Sequence, residues 1–184
     1  MSLLKCKACG YITSAEPGPE ICPACGLPKT ALEPYTERVS AGRKQLIDIH
    51  LHQIMVHFPT VFGIMATLFL VLSYFVPDPW RAELLINAKY AILLLPLSAV
   101  GAVLSGLMDG RLRLKRLSTP VLKRKIAAAV LFSLSAIAMT MVWWVAGFST
   151  AGIQIMILLG VLCQVFGIYL GRVGATLLGT SLPG

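Results

Sequence analysis

The chain predicts a small metal-knuckle head joined to an all-α membrane bundle of four transmembrane helices. Three observations carry this. Of its 184 residues, 57% are apolar and 13% charged, against about 45–50% and about 25% in an ordinary soluble domain. The charges are uneven: residues 1–48 hold 11 of the 24 charged side chains, whereas 126–171 hold none. Four of the five cysteines fall within residues 6–25 as two CxxC pairs. Together these exclude a soluble globular protein, a disordered chain and a disulfide-stapled secreted domain. They also exclude an outer-membrane barrel, whose strands would alternate apolar and polar residues.

The head comes first. Met1–Leu4 are followed at once by Lys5 and Cys6, without the apolar stretch of a signal peptide, so the head is expected to begin the mature chain. Cys6 and Cys9 form one pair, Cys22 and Cys25 the other, and each pair is followed by glycine, Gly10 and Gly26. A CxxC turn lets two thiolates chelate one ion, and glycine after it allows a positive φ. Two such knuckles give four sulfurs, a tetrahedral set that suits iron or zinc. Large apolar residues are few here: Tyr11, Ile12, Ile21, Leu27, Leu32 and Tyr35. A segment this short seldom folds without a metal or disulfides, so the metal is expected to be most of the core.

The stretch CKACGYITSAEPGPEICPACGLPKTALEPY resembles the rubredoxin-like domain of rubrerythrins, over roughly residues 4–36. The shared features are the C-x2-C-G-Y opening, the connector Pro17-Gly18-Pro19, the C-P-x-C-G knuckle and Pro28-Lys29. The resemblance implies one iron, cycling between ferric and ferrous, held by Cys6, Cys9, Cys22 and Cys25. Zinc is the alternative metal. Cys163 lies deep in an apolar run and reads as a small hydrophobe.

The domain boundaries follow: head 1–36, linker 37–48, membrane domain 49–184. Four apolar segments reach the roughly 20 residues a span needs, at about 51–76, 84–108, 126–148 and 153–171. Short connections predict antiparallel neighbours. Gly167, Gly171 and Gly174 share a helix face and read as packing positions. Lys89 reads as a snorkelling side chain, and Trp80, Trp143 and Trp144 as interface anchors.

Basic residues set the expected orientation. Asp109–Lys125 holds Arg111, Arg113, Lys115, Arg116, Lys123, Arg124 and Lys125; Arg38, Arg43, Lys44 and Arg172 add to that side, and the other two loops carry only Arg81. Positive residues mark the cytoplasmic side. The expected location is the cell inner (cytoplasmic) membrane, multi-pass, with both termini and the metal head in the reducing cytoplasm. The net charge of +8 is mostly this signal. No aromatic-interleaved basic face accompanies it, so no nucleic-acid partner is expected, although the basic loop could hold anionic lipid headgroups.

All three histidines, His50, His52 and His57, open the first span. An ionisable group inside a membrane helix is a functional candidate by default. The pattern from His52 to Pro59, H-x3-V-H-F-P, resembles the signature of a four-helix bacterial membrane family of unknown function, as does SGLMD at Ser105–Asp109. Gln53 stands where members usually carry Pro. This resemblance implies architecture and no chemistry. By depth along their helices, His57, Ser105, Asp109 and Gln164 could line a pocket, with His52 and His50 nearby. Imidazole and amide donors suit the carbonyls of a quinone, and histidine can take up a proton. The competing interpretation places His50 and His52 at headgroup level and His57 on backbone.

The expected function is a membrane-anchored electron carrier. The head would take single electrons from a soluble redox protein, such as a flavoprotein, and pass them to a membrane acceptor, with the quinone pool preferred. A tetrathiolate site is closed, so no catalytic residue is assigned to the head, and a quinone-reducing role within a larger membrane complex is the nearest enzymatic one. A zinc-ribbon docking module on a structural membrane subunit is the alternative. A b-type haem protein is a weaker one, since haem would need a histidine paired with Met108, Met139 or Met141.

Overall fold

The computed structural model describes residues 2–37, 39–114 and 119–178. These fall into two compact units, one running to Lys44 and the other starting at Gln45.

The first unit is built on three short antiparallel strands, β1 (Leu3–Cys6), β2 (Ile12–Ser14) and β3 (Leu32–Tyr35), in the order β2-β1-β3. Leu3 pairs with Ser14 on one side and with Tyr35 on the other. A single 3-10 turn, Lys29–Ala31, leads into β3. The two cysteine turns are copies of each other. The Gly10 N–H donates to the Cys6 carbonyl at 2.9 Å, and the Gly26 N–H to the Cys22 carbonyl at 2.8 Å. Both glycines have positive φ, 76° and 74°, which a Cβ would penalise.

Three of the four long helices are longer than the apolar segments that mark them. The helices are α1 (Ala41–Asp48), α2 (Leu51–Leu72), α3 (Trp80–Leu114), α4 (Pro120–Ala146) and α5 (Thr150–Leu178). The residues expected as linker are helical from Ala41, and α2 stops four residues before the expected Val76. The segment Asp109–Lys125, expected as a loop, is mostly helix: Arg111 and Arg113 extend α3, and Lys123, Arg124 and Lys125 open α4. Lys115 and Arg116, like Arg38, lie outside the described residues. Hydropathy reports where a helix is apolar, not where it ends. Lys and Arg are good helix formers, and Arg113 pairs with Asp109 one turn back at 2.9 Å, a spacing that favours helix. Thr119 then caps α4, its hydroxyl accepting from the Leu122 N–H, with Pro120 in the first turn.

Between α1 and α2, His50 is left-handed at φ 56°, a conformation that histidine visits more readily than most side chains. Its Nδ1 lies 2.6 Å from the Asp48 carbonyl, which anchors the break.

Helices α2 to α5 form a closed ring, each packed on its sequence neighbour and α5 back on α2. Leu70, Ile92, Leu95, Met139, Ile153, Met156 and Cys163 are fully buried at its centre. The outside is as apolar as the inside: Phe75, Leu97, Trp144 and Val145 are each more than two-thirds exposed. Only 22–33% of each helix's most apolar window is buried within the bundle. Helices apolar all round require a non-aqueous surround, and all four are long and apolar enough to cross a membrane. At one end Lys89 lies over the Trp143 ring, 5.4 Å from its centroid. Trp80 and Trp144 point outward.

Candidate functional site

The head brings its four cysteines to one point. Their Sγ atoms all lie within 4.8 Å of one another, with Cys6 and Cys25 at 3.7 Å and Cys9 and Cys22 at 3.6 Å. A tetrahedral ion with metal–sulfur bonds of about 2.3 Å needs sulfurs about 3.8 Å apart. The thiols are therefore spaced for one metal, and no disulfide joins them.

The surrounding N–H groups make the two halves electrostatically alike. Cys6 accepts from the N–H groups of Cys9 and Ala8, and Cys22 from those of Cys25 and Ala24. These donors favour the thiolate and bring Cys6 down to about 7 and Cys22 below its ordinary value. Cys9 and Cys25 receive N–H groups from Tyr11 and Leu27, but desolvation and the neighbouring sulfurs outweigh them. Cys9 is raised, and Cys25 is pushed up to about 12. Four thiolates so close repel one another, so a cation must complete the set.

A pH dependence follows with a definite sign. Metal binds thiolates. At neutral pH most of the metal-free set is protonated, and loading it must expel protons. Apparent metal affinity is expected to rise with pH from about 7 upward and to collapse below it, where Cys6 too is protonated. Proton release on adding metal in weak buffer checks this; uptake without release would contradict it.

Within the helical unit the sequence-derived cluster separates. His52, Ser105 and Asp109 come together. The His52 Nδ1 is 3.3 Å from the Ser105 hydroxyl, and all but Ser105 line a cavity of about 730 Å³ between α2, α3, α4 and α5. His57 does not join them. It is exposed, and its Nδ1 sits 2.6 Å from its own helix's Gln53 carbonyl. The physical reason is the helical period: five residues from His52 turn His57 well away from that face. Gln164 lies against Gly63, where a Cβ would stand 3.1 Å from its Nε2. Gly63 is about 16 Å further along α2 than His52. His50 stays on the break before α2.

Two further residues of the cavity are not among the expected site residues. Lys125 donates to the His52 Nε2 at 3.2 Å, and Gln53 has a buried Oε1 without a hydrogen-bond partner among the described residues. In the sequence Lys125 is one more basic residue on the positive side; its place directly before the apolar run at Ile126 is the signal that sets it apart. The glycine stripe also differs from expectation. Gly167, Gly171 and Gly174 line the cavity, and a Cβ at Gly171 would meet nothing within 4 Å. These glycines make space instead of a tight helix contact.

None of the described methionines lines the cavity beside His52. Met139 and Met141 lie more than about 20 Å beyond Lys125 along α4. Met108, at the right end, is not among the cavity lining.

Residues 5–33 match the family model described as "Rubrerythrin, rubredoxin-like domain". The match takes in all four cysteines and most of the sheet, and it covers the head only. Comparison with curated proteins and with solved structures gives no match.

Proposed function

We propose that the rubredoxin-like head holds one iron and that the chain is a membrane-anchored carrier of single electrons. A soluble redox protein, such as a flavoprotein, supplies them, and a quinone in the membrane takes them. The observation that carries this is the closed four-sulfur cluster in a segment matching the rubredoxin-like domain. Four protein ligands leave no open position for a substrate, so an iron there exchanges electrons and nothing else. Two of its sulfurs, on Cys9 and Cys25, belong to exposed residues, which gives an electron a short way out. Two ferrous heads, one quinone and two protons then yield two ferric heads and one hydroquinone. The basic residues on α3 and α4 support a cytoplasmic head by the positive-inside rule, in the inner membrane. The likeness of the His52–Pro59 motif to a four-helix membrane family is consistent with this architecture and adds no chemistry.

The test is metal analysis and a visible spectrum of the full chain in mild detergent, before and after dithionite. One iron per chain with colour that bleaches on reduction is the expected result. A colourless protein with one zinc would overturn it and leave the docking module on a structural membrane subunit.

A further inference from the structure

The cavity at the end of the bundle where α2 and α4 begin has a polar mouth and an apolar depth. His52, Gln53, Asp109, Arg113 and Lys125 line the mouth, while Ala99, Phe132 and Leu134 lie further in along their helices. Its volume of about 730 Å³ falls in the range of small-molecule sites, about 300–1,000 Å³.

The polar groups are arranged, not scattered. Both oxygens of Asp109 accept from the Arg113 Nε, at 2.9 and 3.0 Å, so this pair is internally balanced. His52 is fixed at both nitrogens. Its Nε2 accepts from Lys125, so Nδ1 carries the proton and donates to Ser105, whose hydroxyl donates to the Ala102 carbonyl at 3.0 Å. The imidazole ring also packs on Gly106, where a Cβ would come within 2.8 Å of it. Its position and tautomer are thus set by α3. Lys125 is held by this imidazole, its one hydrogen bond among the described residues. An ammonium has three N–H donors, so two remain at the cavity wall. Gln53 offers the opposite: a buried acceptor with nothing to accept from.

We infer that this cavity is the quinone site, with Lys125 donating to a quinone carbonyl and Gln53 accepting from the hydroxyl of the reduced form. This rests on the proposed quinone acceptor. The donor–acceptor pair selects the ligand. A bare phosphate or carboxylate group would satisfy Lys125 but brings no proton for the Gln53 carbonyl, which would stay orphaned at a cost. A quinone presents acceptors when oxidised and donors once two electrons and two protons have been added, so it serves both residues across its cycle. The isoprenoid tail fills the apolar depth. Lys125 and Gln53 replace His57 and Gln164 in the site, and His52 acts as a positioning residue for Lys125.

The experiment is equilibrium binding of decylubiquinone and its reduced form to the full chain in phosphatidylcholine nanodiscs. Lys125→Met is expected to weaken the oxidised form about ten- to a hundredfold, as for loss of a hydrogen bond from a charged donor, with Lys125→Arg recovering part of it. Gln53→Leu is expected to weaken the reduced form selectively. Gly171→Leu, placed where a Cβ meets open space, projects a side chain into the cavity one turn before Gly174, which faces Lys125, and is expected to abolish binding of both. Lys123→Met, on an exposed neighbour, leaves binding unchanged. Equal binding by wild type, Lys125→Met and Gly171→Leu would overturn the site. So would Lys125-dependent displacement of the quinone by phosphatidylglycerol, which would assign the cavity to anionic lipid. Binding does not depend on which metal the head holds, so the two proposals fail separately. A zinc head with Lys125-dependent quinone binding sinks the electron carrier alone, and an iron head without binding sinks the site alone.

Discussion

Cys22→Ser is expected to strip the head of its metal and its fold together while leaving the helical bundle intact. The reason lies in what the head buries. Among residues 2–37 only Cys6 and Cys22 are buried; Tyr11, Ile21 and Leu27, which would form a core in a larger domain, are 40–59% exposed. The hydrophobic contribution is therefore small, and the unit's size, up to Lys44, is near the limit of about 40 residues for folding unaided. Metal binding at structural thiolate sites supplies on the order of 10 kcal/mol, as much as the whole stability of an ordinary domain. Serine offers no thiolate and leaves three ligands. Metal analysis should give none bound, and amide exchange should show Leu3–Cys6 unprotected with α2 to α5 unchanged. Persistent protection of β1 in the metal-free variant would show that the sheet stands on its own packing.

The second large effect is expected at Gly160→Val, on the seam between α2 and α5. Gly160 faces Thr67, and a Cβ there would collide with the Thr67 hydroxyl and stand 3.2 Å from its Cβ. The hydroxyl cannot swing away freely, because it donates to the Gly63 carbonyl at 2.8 Å. Gly63 in turn receives Gln164. Gly63 and Thr67, four apart on α2, thus meet Gln164 and Gly160 on α5, and a glycine at each meeting brings the backbones close, as in helix association where lipid supplies no hydrophobic force. Overpacking such a contact costs roughly 1–3 kcal/mol, seen as a lower unfolding midpoint in detergent. Thr67→Ala should recover part of the loss. Gly171→Ala, which meets open space, should be neutral or slightly stabilising by helix propensity. Equal losses at Gly160 and Gly171 would mean that glycine's backbone, not the seam, is responsible.

The head and the four apolar helices are legible in the sequence because their signals are local. Cysteine spacing encodes the knuckles, and an unbroken apolar run encodes a span. What the sequence hides depends on relations across the chain. Lys125 meets His52 across 73 positions, and no periodicity within either helix announces that meeting. His57, in the more conspicuous motif, bonds to its own helix, because rotation along α2, not depth, decides which residues share a wall. The helical extensions of α3 and the start of α4 are hidden for a different reason. Charge ends the hydropathy signal, whereas hydrogen bonding and the Asp109–Arg113 pair carry the helix on.

The length of α3 has a consequence of its own. The helix has 35 residues, about 52 Å, yet between Lys89 and Asp109 it carries 19 uncharged ones, about 28 Å. That stretch nearly equals the hydrocarbon thickness of a bilayer, about 30 Å, so the two charged residues that bound it, Lys89 and Asp109, act as depth gauges. Lys89, resting on Trp143, marks one boundary plane. Asp109, beside Arg113, marks the other, and the cavity mouth lies in that plane. In the proposed membrane setting, a tailed ligand in that cavity would keep its head at the water boundary and its tail in the hydrocarbon.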